Sequence, residues 1–192
     1  MSGGWYAAHG KRLLDLLQAG VGMLVLSPIL LLTGVAVRLE DGGPALFRQE
    51  RSGRDDRPFT LLKFRSMPVG TDQIPSATAA TLQVTGVGRL IRRLNVDELP
   101  QLINIVRGEM SLVGPRPPLP SQASLLAQRA ANGARACRPG LTGLAQINSY
   151  DGMPEAEKAA WDGRYAADIS LAGDLAIMAR TAGYLFRRPP AY

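Results

Sequence analysis

"AGVGMLVLSPILLLTGVAV", residues 19–37, carries no charged side chain; "KRLLDLLQ" precedes it and Arg38 follows. Nineteen such residues approach the roughly twenty that a straight helix needs to cross the hydrocarbon of a bilayer. Pro28 stands near the middle, where it removes the donor to the Leu24 carbonyl and pushes Ser27 away from helical geometry, so a bend is expected there. Three readings compete. A secretory signal peptide is the weakest, because the stretch is long, has Asp15 near its start and ends without a convincing small-residue cleavage site. A plain spanning helix is the simplest, since membranes tolerate proline where serine or neighbouring groups satisfy the freed carbonyl. The third is a re-entrant hairpin, two short helices broken at Ser27-Pro28. Lys11 and Arg12 lie before the segment and Arg38, Arg48, Arg51 and Arg54 after it, and cations on both flanks are what a segment returning to the same side would show. Taken alone, these arguments stand slightly on the side of spanning.

The rest of the chain has a mixed, soluble pattern. With 192 residues, 46% of them hydrophobic, it can bury one core. The formal charge of +6 suits an anionic partner such as nucleic acid, a phosphorylated substrate or acidic lipid. Aromatic residues make up only 6% and none is interleaved with the central arginines, so nucleic-acid stacking is poorly provided for and no nucleic-acid partner is expected. Cys137 is the only cysteine, which excludes an internal disulfide and suits a reducing compartment. His9 is the only histidine, which excludes Ser-His-Asp catalysis away from the N-terminus, His-containing zinc sites and HExxH. Acid–base chemistry is left to carboxylates and lysine.

Residues 42–67 contain Gly42-Gly43-Pro44, two short apolar or alternating runs and a charged loop at Asp55-Asp56, consistent with a hairpin or a strand–loop–helix element. Residues 68–85 are polar, small and proline-punctuated and read as a loop near the site or a connector. Leu99, Leu102, Ile103 and Val106 recur as one helical face that Gly108 stops, while "GPRPPLP" must be extended. Residues 155–188 suggest two helices, the second with Leu171, Leu175, Met178 and Leu185 on one stripe and Arg187-Arg188 at its end; it closes the core or lies on a membrane surface.

The chemistry concentrates in "RRLNVDELPQLINIVRGEMSLVGPRPP", residues 92–118. Pro100 is best tolerated in a first turn, which starts the helix at about Asp97 and leaves Asp97 and Glu98 at its N-terminal end. Alone, such a pair reads as a helix cap. Its cationic company changes the reading: Arg89, Arg92 and Arg93 precede it, and Arg116 is held between Pro115 and Pro117, where a guanidinium can bind phosphate bidentately at small entropic cost. Lys63 and Arg65 alternate with apolar residues, as on a strand with both cations facing one way, or as a solvated charged face. Gly86-Val87-Gly88 lacks the third glycine of a dinucleotide loop, and no Walker A sequence occurs. Carboxylates among arginines suit a phosphoryl transfer in which one carboxylate attacks phosphorus and a second holds a divalent metal against the diphosphate charge. An acidic-lipid or phosphoinositide binding module without catalysis is the alternative.

"KRLLDLL…LSPILLL", "GGPALFRQERSG", "PFTLLKFRSM", "VGRLIRRLNVDELPQLINIVRGEMSLVGPRP", "RPGLTGLAQI" and "WDGRYAADISLAGDLAIMARTAGYLF" run in order from residue 11 to 186. In these stretches the chain resembles the bacterial sugar transferases known as monotopic phosphoglycosyl transferases, in their minimal catalytic-domain form. The resemblance implies transfer of a sugar 1-phosphate from a nucleotide diphosphate sugar, usually a uridine one, to polyprenyl phosphate, as the first membrane step of glycan assembly. It implies Asp97 as nucleophile, Glu98 serving Mg2+, and Lys63, Arg92 and Arg116 on phosphate groups, with Arg138 and the neighbouring Arg65 as further candidates. It also makes Ser27-Pro28 the break of a re-entrant hairpin, against the slight preference for spanning. The fold expected is α+β and mostly helical, with a re-entrant membrane helix-break-helix over 1–38 and a small catalytic domain with amphipathic interfacial helices over 39–192. The implied location is the bacterial inner membrane with the catalytic domain in the cytoplasm; a homo-oligomer stays open.

Overall fold

The computed structural model describes residues 4–71, 84–150 and 152–185. Most of the connector at 68–85 and the Arg187-Arg188 pair lie outside these residues. The architecture is α+β and mostly helical, with two small two-stranded sheets.

After a single π-helical turn at Tyr6–Gly10, α1 runs from Lys11 to Asp41 and ends at Gly42, whose φ of 74° a side chain would resist. It is long and apolar enough to cross a membrane. The expected break into two helices does not occur: the helix continues through Ser27-Pro28. Ser27 Oγ donates to the Leu24 carbonyl at 2.7 Å, filling the acceptor that Pro28 has no N–H to reach. One stripe of α1 is covered along its whole length. Asp15, Ala19, Thr33 and Val37 are buried, and Met23, Leu26 and Leu30 pack partly against the core. The remaining surface is apolar and bare, with Leu24 76% exposed and Val25, Leu31 and Leu32 also outward.

Both ends of α1 are tied down by polar contacts. Tyr6 Oη and Lys11 Nζ donate to the buried Asp174 carboxylate at 2.6 and 2.7 Å. Arg12 donates to the Ile105 and Val106 carbonyls, and Asp15 accepts from Ser111 Oγ and Leu112 N. At the other end Asp41 pairs with Arg65 and Glu40 accepts from Val87 N.

Residues 42–67 form the hairpin. Strands β1 (Leu46–Ser52) and β2 (Pro58–Phe64) pair antiparallel from Leu46↔Phe64 to Ser52↔Pro58. Helix α2 (Gly86–Arg93) is capped by Thr85, whose hydroxyl accepts from Gly88 N. Helix α3 (Gln101–Arg107) lies between α1 and β2, and its fully buried Asn104 accepts from Leu62 N and donates to the Thr60 carbonyl. One amide thus fixes α3 against the strand carrying Lys63. Ala19, Leu61, Leu102, Ile105 and Met110 make the apolar cluster around this junction.

Strand β3 (Ser111–Val113) pairs parallel with β4 (Gly140–Thr142). The two segments meet backbone to backbone: a Cβ on Gly114 would lie 2.3 Å from the Arg138 carbonyl, and one on Gly140 2.1 Å from Gly114 N. Helices α4 (Ala123–Ala131), α5 (Leu144–Ile147), α6 (Glu155–Ala167) and α7 (Leu171–Leu185) complete the domain. The start of the apolar stripe on α7 faces outward, as the membrane-surface reading has it, and does not close the core. Leu171 and Leu175 are about half exposed, whereas Asp174 and Ile177 are buried. Asp174 turns inward because Tyr6, Lys11 and Tyr165 all donate to it.

Candidate active site

Asp97 and Glu98 stand on a 3-10 turn, Val96–Glu98, that follows α2 and precedes α3. Asn95 opens the turn with a φ of 54°, a left-handed conformation that asparagine tolerates better than most residues. Neither acid caps α3, which has no side-chain cap bond at its start, so the plain helix-cap reading does not hold.

The two carboxylates have different surroundings. Lys63 Nζ, from β2, donates to Glu98 Oε1 at 2.7 Å, and Arg116 Nη2, from the proline loop, donates to the same oxygen at 3.1 Å. No hydrogen bond to Oε2 occurs among the described residues. Burial would push the Glu98 carboxyl up, but the Arg116 and Lys63 charges outweigh it and hold it down at about 2. Asp97 is half-buried and no cation pairs with it directly among the described residues. Its carboxyl is raised, by burial first and by the Glu98 charge, against the opposing fields of Lys63 and Arg92. Burial and the Arg116 charge lower Lys63, while Glu98 works the other way.

Arg92 stands beside this pair, its Nε donating to Ser66 Oγ at 2.8 Å. Arg65 is elsewhere. Its guanidinium is buried, forked onto both oxygens of Asp41 and bonded to the Pro44 carbonyl, so it locks α1 to the end of β2 instead of facing the acids as Lys63 does. Arg138 is also engaged apart from the acids. Its Nε donates to the Gly108 carbonyl at 3.1 Å, and burial together with Arg12 and Arg54 lowers it. The structure therefore gathers Asp97, Glu98, Lys63, Arg92 and Arg116, and leaves Arg65 and Arg138 outside that group.

Arg51 is a member that sequence reasoning missed. Burial and the nearby Arg116 lower its guanidinium to about 10 against the pull of Glu98, and its Nη1 donates to the Pro117 carbonyl. The signal was the two-residue alternation of Gln49 and Arg51 in "FRQERSG": on a strand these share one face, and Gln49 Oε1 accepts from Arg51 Nε at 3.0 Å.

An unpaired, raised carboxylate beside a strongly ionised one, ringed by cations, can attack an electrophile whose negative charge the cations hold. Comparison with known proteins agrees in kind. Residues 6–188 match the family described as bacterial sugar transferase. The chain is 41% identical to a UDP-glucose:undecaprenyl-phosphate glucose-1-phosphate transferase of Caulobacter vibrioides, over 95% of this chain and 72% of that one. It is 39% identical to the exopolysaccharide production protein ExoY of Rhizobium meliloti, over 89% and 83%. With the sugar transferase EpsL of Bacillus subtilis the identity is 40%, over 89% and 84%. The chain belongs to the bacterial sugar transferase family and is a transferase enzyme.

Proposed function

We propose that this enzyme transfers a sugar 1-phosphate from a nucleoside diphosphate sugar, a uridine one, to polyprenyl phosphate at the cytoplasmic face of the bacterial inner membrane. The observation that carries the reading is the unlike pair: Asp97 unpaired and raised, Glu98 held ionised by Lys63 and Arg116. An Asp97 Oδ attacks the sugar-bearing phosphorus. The bond from that phosphorus to the bridging oxygen breaks, and nucleoside monophosphate leaves with the electron pair. A phosphate oxygen of the lipid carrier then attacks the aspartyl-phosphosugar, returning the electron pair to Asp97 and forming the polyprenyl-diphosphate-sugar. Lys63, Arg92, Arg116 and Arg51 offset the charges of the two anionic substrates in turn. The relatives named for UDP-glucose or UDP-galactose and an undecaprenyl-phosphate or lipid carrier support these substrate classes.

Mg2+ fits the donor set. Among the described residues no three potential metal-binding side chains converge, which suits an ion that takes one or two carboxylates and completes its shell with substrate phosphates and water. Glu98 Oε2 is the oxygen that would hold it. When bound, the ion offsets the diphosphate charge.

The bare apolar face of α1 supports membrane residence, with the exposed leucines of α2 and α7 at the interface. The polar ties at both ends of α1 to one domain support a monotopic arrangement with both ends on the same side.

The test is a panel of UDP-glucose, UDP-galactose and other nucleotide sugars with undecaprenyl phosphate and the purified protein in detergent. Release of UMP is expected. Release of UDP would mean transfer of the sugar without its phosphate and would overturn the reaction.

A further inference from the structure

The loop 114–118, which carries Arg116, contains Pro115, Pro117 and Pro118, none of which has an N–H to donate. It is gripped through its carbonyls. Pro115 O accepts from Gly140 N at 2.8 Å and Pro118 O from Ser52 N at 3.0 Å. Between them, Arg116 O accepts from Arg129 Nη1 at 3.0 Å and Pro117 O from Arg51 Nη1 at 3.2 Å. Two of these donors are main chain, and Arg51 already stands at the site. Arg129 is different, because it reaches the site only through the Arg116 peptide.

Arg129 and its partner Asp162 are both buried, at 6% and 1% exposure. Arg129 Nε and Nη2 both donate to Asp162 Oδ2, at 2.9 and 2.6 Å, which fixes the plane of the guanidinium and turns Nη1 toward Arg116 O. A buried ion pair is a poor source of stability, since apolar residues of similar volume often serve as well. Burial indeed pushes the Asp162 carboxyl up in spite of the Arg129 charge. What the pair supplies is direction. A lysine could still pair with Asp162, but it has no planar fork with which to hold the Arg116 carbonyl as well.

We propose that Arg129, held by Asp162, is a positioning residue that fixes the Arg116 peptide and so aims the Arg116 guanidinium at Glu98. Its consequence for turnover rests on the reaction proposed above, whereas its consequence for the order of the Arg116 side chain does not.

Two variants test it: Arg129→Lys, and Arg129→Met combined with Asp162→Leu, which exchanges the pair for apolar groups. The readout independent of activity is nitrogen-15 relaxation of the Arg116 guanidinium Nε in detergent, which reports how firmly that side chain is held. Loosening the Arg116 peptide should lower the order of this group in both variants. Turnover of the folded variants should fall by up to about a hundredfold, the scale of a small misplacement of a catalytic group. Adding Arg129→Lys to Arg116→Ala should lower turnover no further, because two residues acting through one contact do not add. Arg116 order unchanged from wild type in folded Arg129→Lys, or losses of turnover that simply add, would overturn the proposal. Normal turnover in Arg116→Ala would instead sink the substrate reading of Arg116, with the order of Arg116 still deciding the role of Arg129.

Discussion

Asp97 and Glu98 are neighbours in sequence and feel opposite fields, and that difference can be measured. Asp97 has a raised carboxyl, so at neutral pH its charged form costs the folded state free energy. Asp97→Asn removes that cost while keeping the shape. The variant should lose essentially all turnover yet melt at the same temperature as wild type or slightly above it, and a fall of several degrees would contradict the assigned surroundings. Glu98 has the reverse sign. Its folded value of about 2 lies below the ordinary 4.5, so its contribution to stability is complete above about pH 4.5 and is lost as pH falls toward 2. Over that window Glu98→Gln should melt with a flatter pH dependence than wild type, and parallel profiles would show that Lys63 and Arg116 do not act on it as described. The acids and Arg116 were legible in the sequence because they share one short stretch whose prolines dictate its shape. The pairing of Arg65 with Asp41 was not, because Asp41 lies 24 positions away on another element, and period-two alternation does not show which partner a cation meets.

At the scale of elements, local rules located the segments better than their faces. Gly108, at φ 86°, stops α3 where expected, and the turn signals at residues 42–67 mark a true hairpin. Of the two readings of the α7 stripe, the exposed Leu171 and Leu175 disfavour core closure, and the stripe could not show that Asp174 is drawn inward by Tyr6, 168 positions away, together with Lys11 and Tyr165. The continuity of α1 through Pro28 follows the reading in which serine satisfies the freed carbonyl, not the break implied by the resemblance, since whether a proline breaks a helix depends on what takes that carbonyl. That compensation makes a prediction. Ser27→Ala removes the donor to the Leu24 carbonyl and should destabilise the protein by about 0.5–1.5 kcal/mol, the net contribution of a typical intramolecular hydrogen bond. Adding Pro28→Ala restores the N–H that Leu24 can accept. The double variant should therefore be more stable than the single one in a denaturation series, and a double variant weaker than Ser27→Ala alone would show that the serine bond does not do this.

At the scale of the molecule, α1 is 31 residues, about 46 Å at 1.5 Å per residue, longer than the roughly 30 Å of bilayer hydrocarbon. Hydropathy alone inclines toward spanning, because it counts apolar residues without asking what covers them. Contacts argue otherwise. The helix is tied near its start to Asp174 and Ser111 and at its end to Arg65, all in one domain, which supports the proposal that both its ends lie on one side of the bilayer. Moving the start across would also carry Lys11, Arg12 and Asp15 through the hydrocarbon, at about 2.5–3.5 kcal/mol for each charge at the centre, after breaking their present bonds. A cysteine replacing Gly4 on a Cys137→Ser background should therefore escape a membrane-impermeant thiol reagent in intact cells and react once the membrane is permeabilised. Replacing Ser27 and Pro28 together by alanine should leave this pattern unchanged, because the ties at Tyr6, Lys11, Arg12 and Asp15 survive it. Efficient labelling of intact cells carrying the unaltered Ser27-Pro28 pair would mean that the start of α1 lies outside, and the chain would then be anchored by a conventional spanning helix.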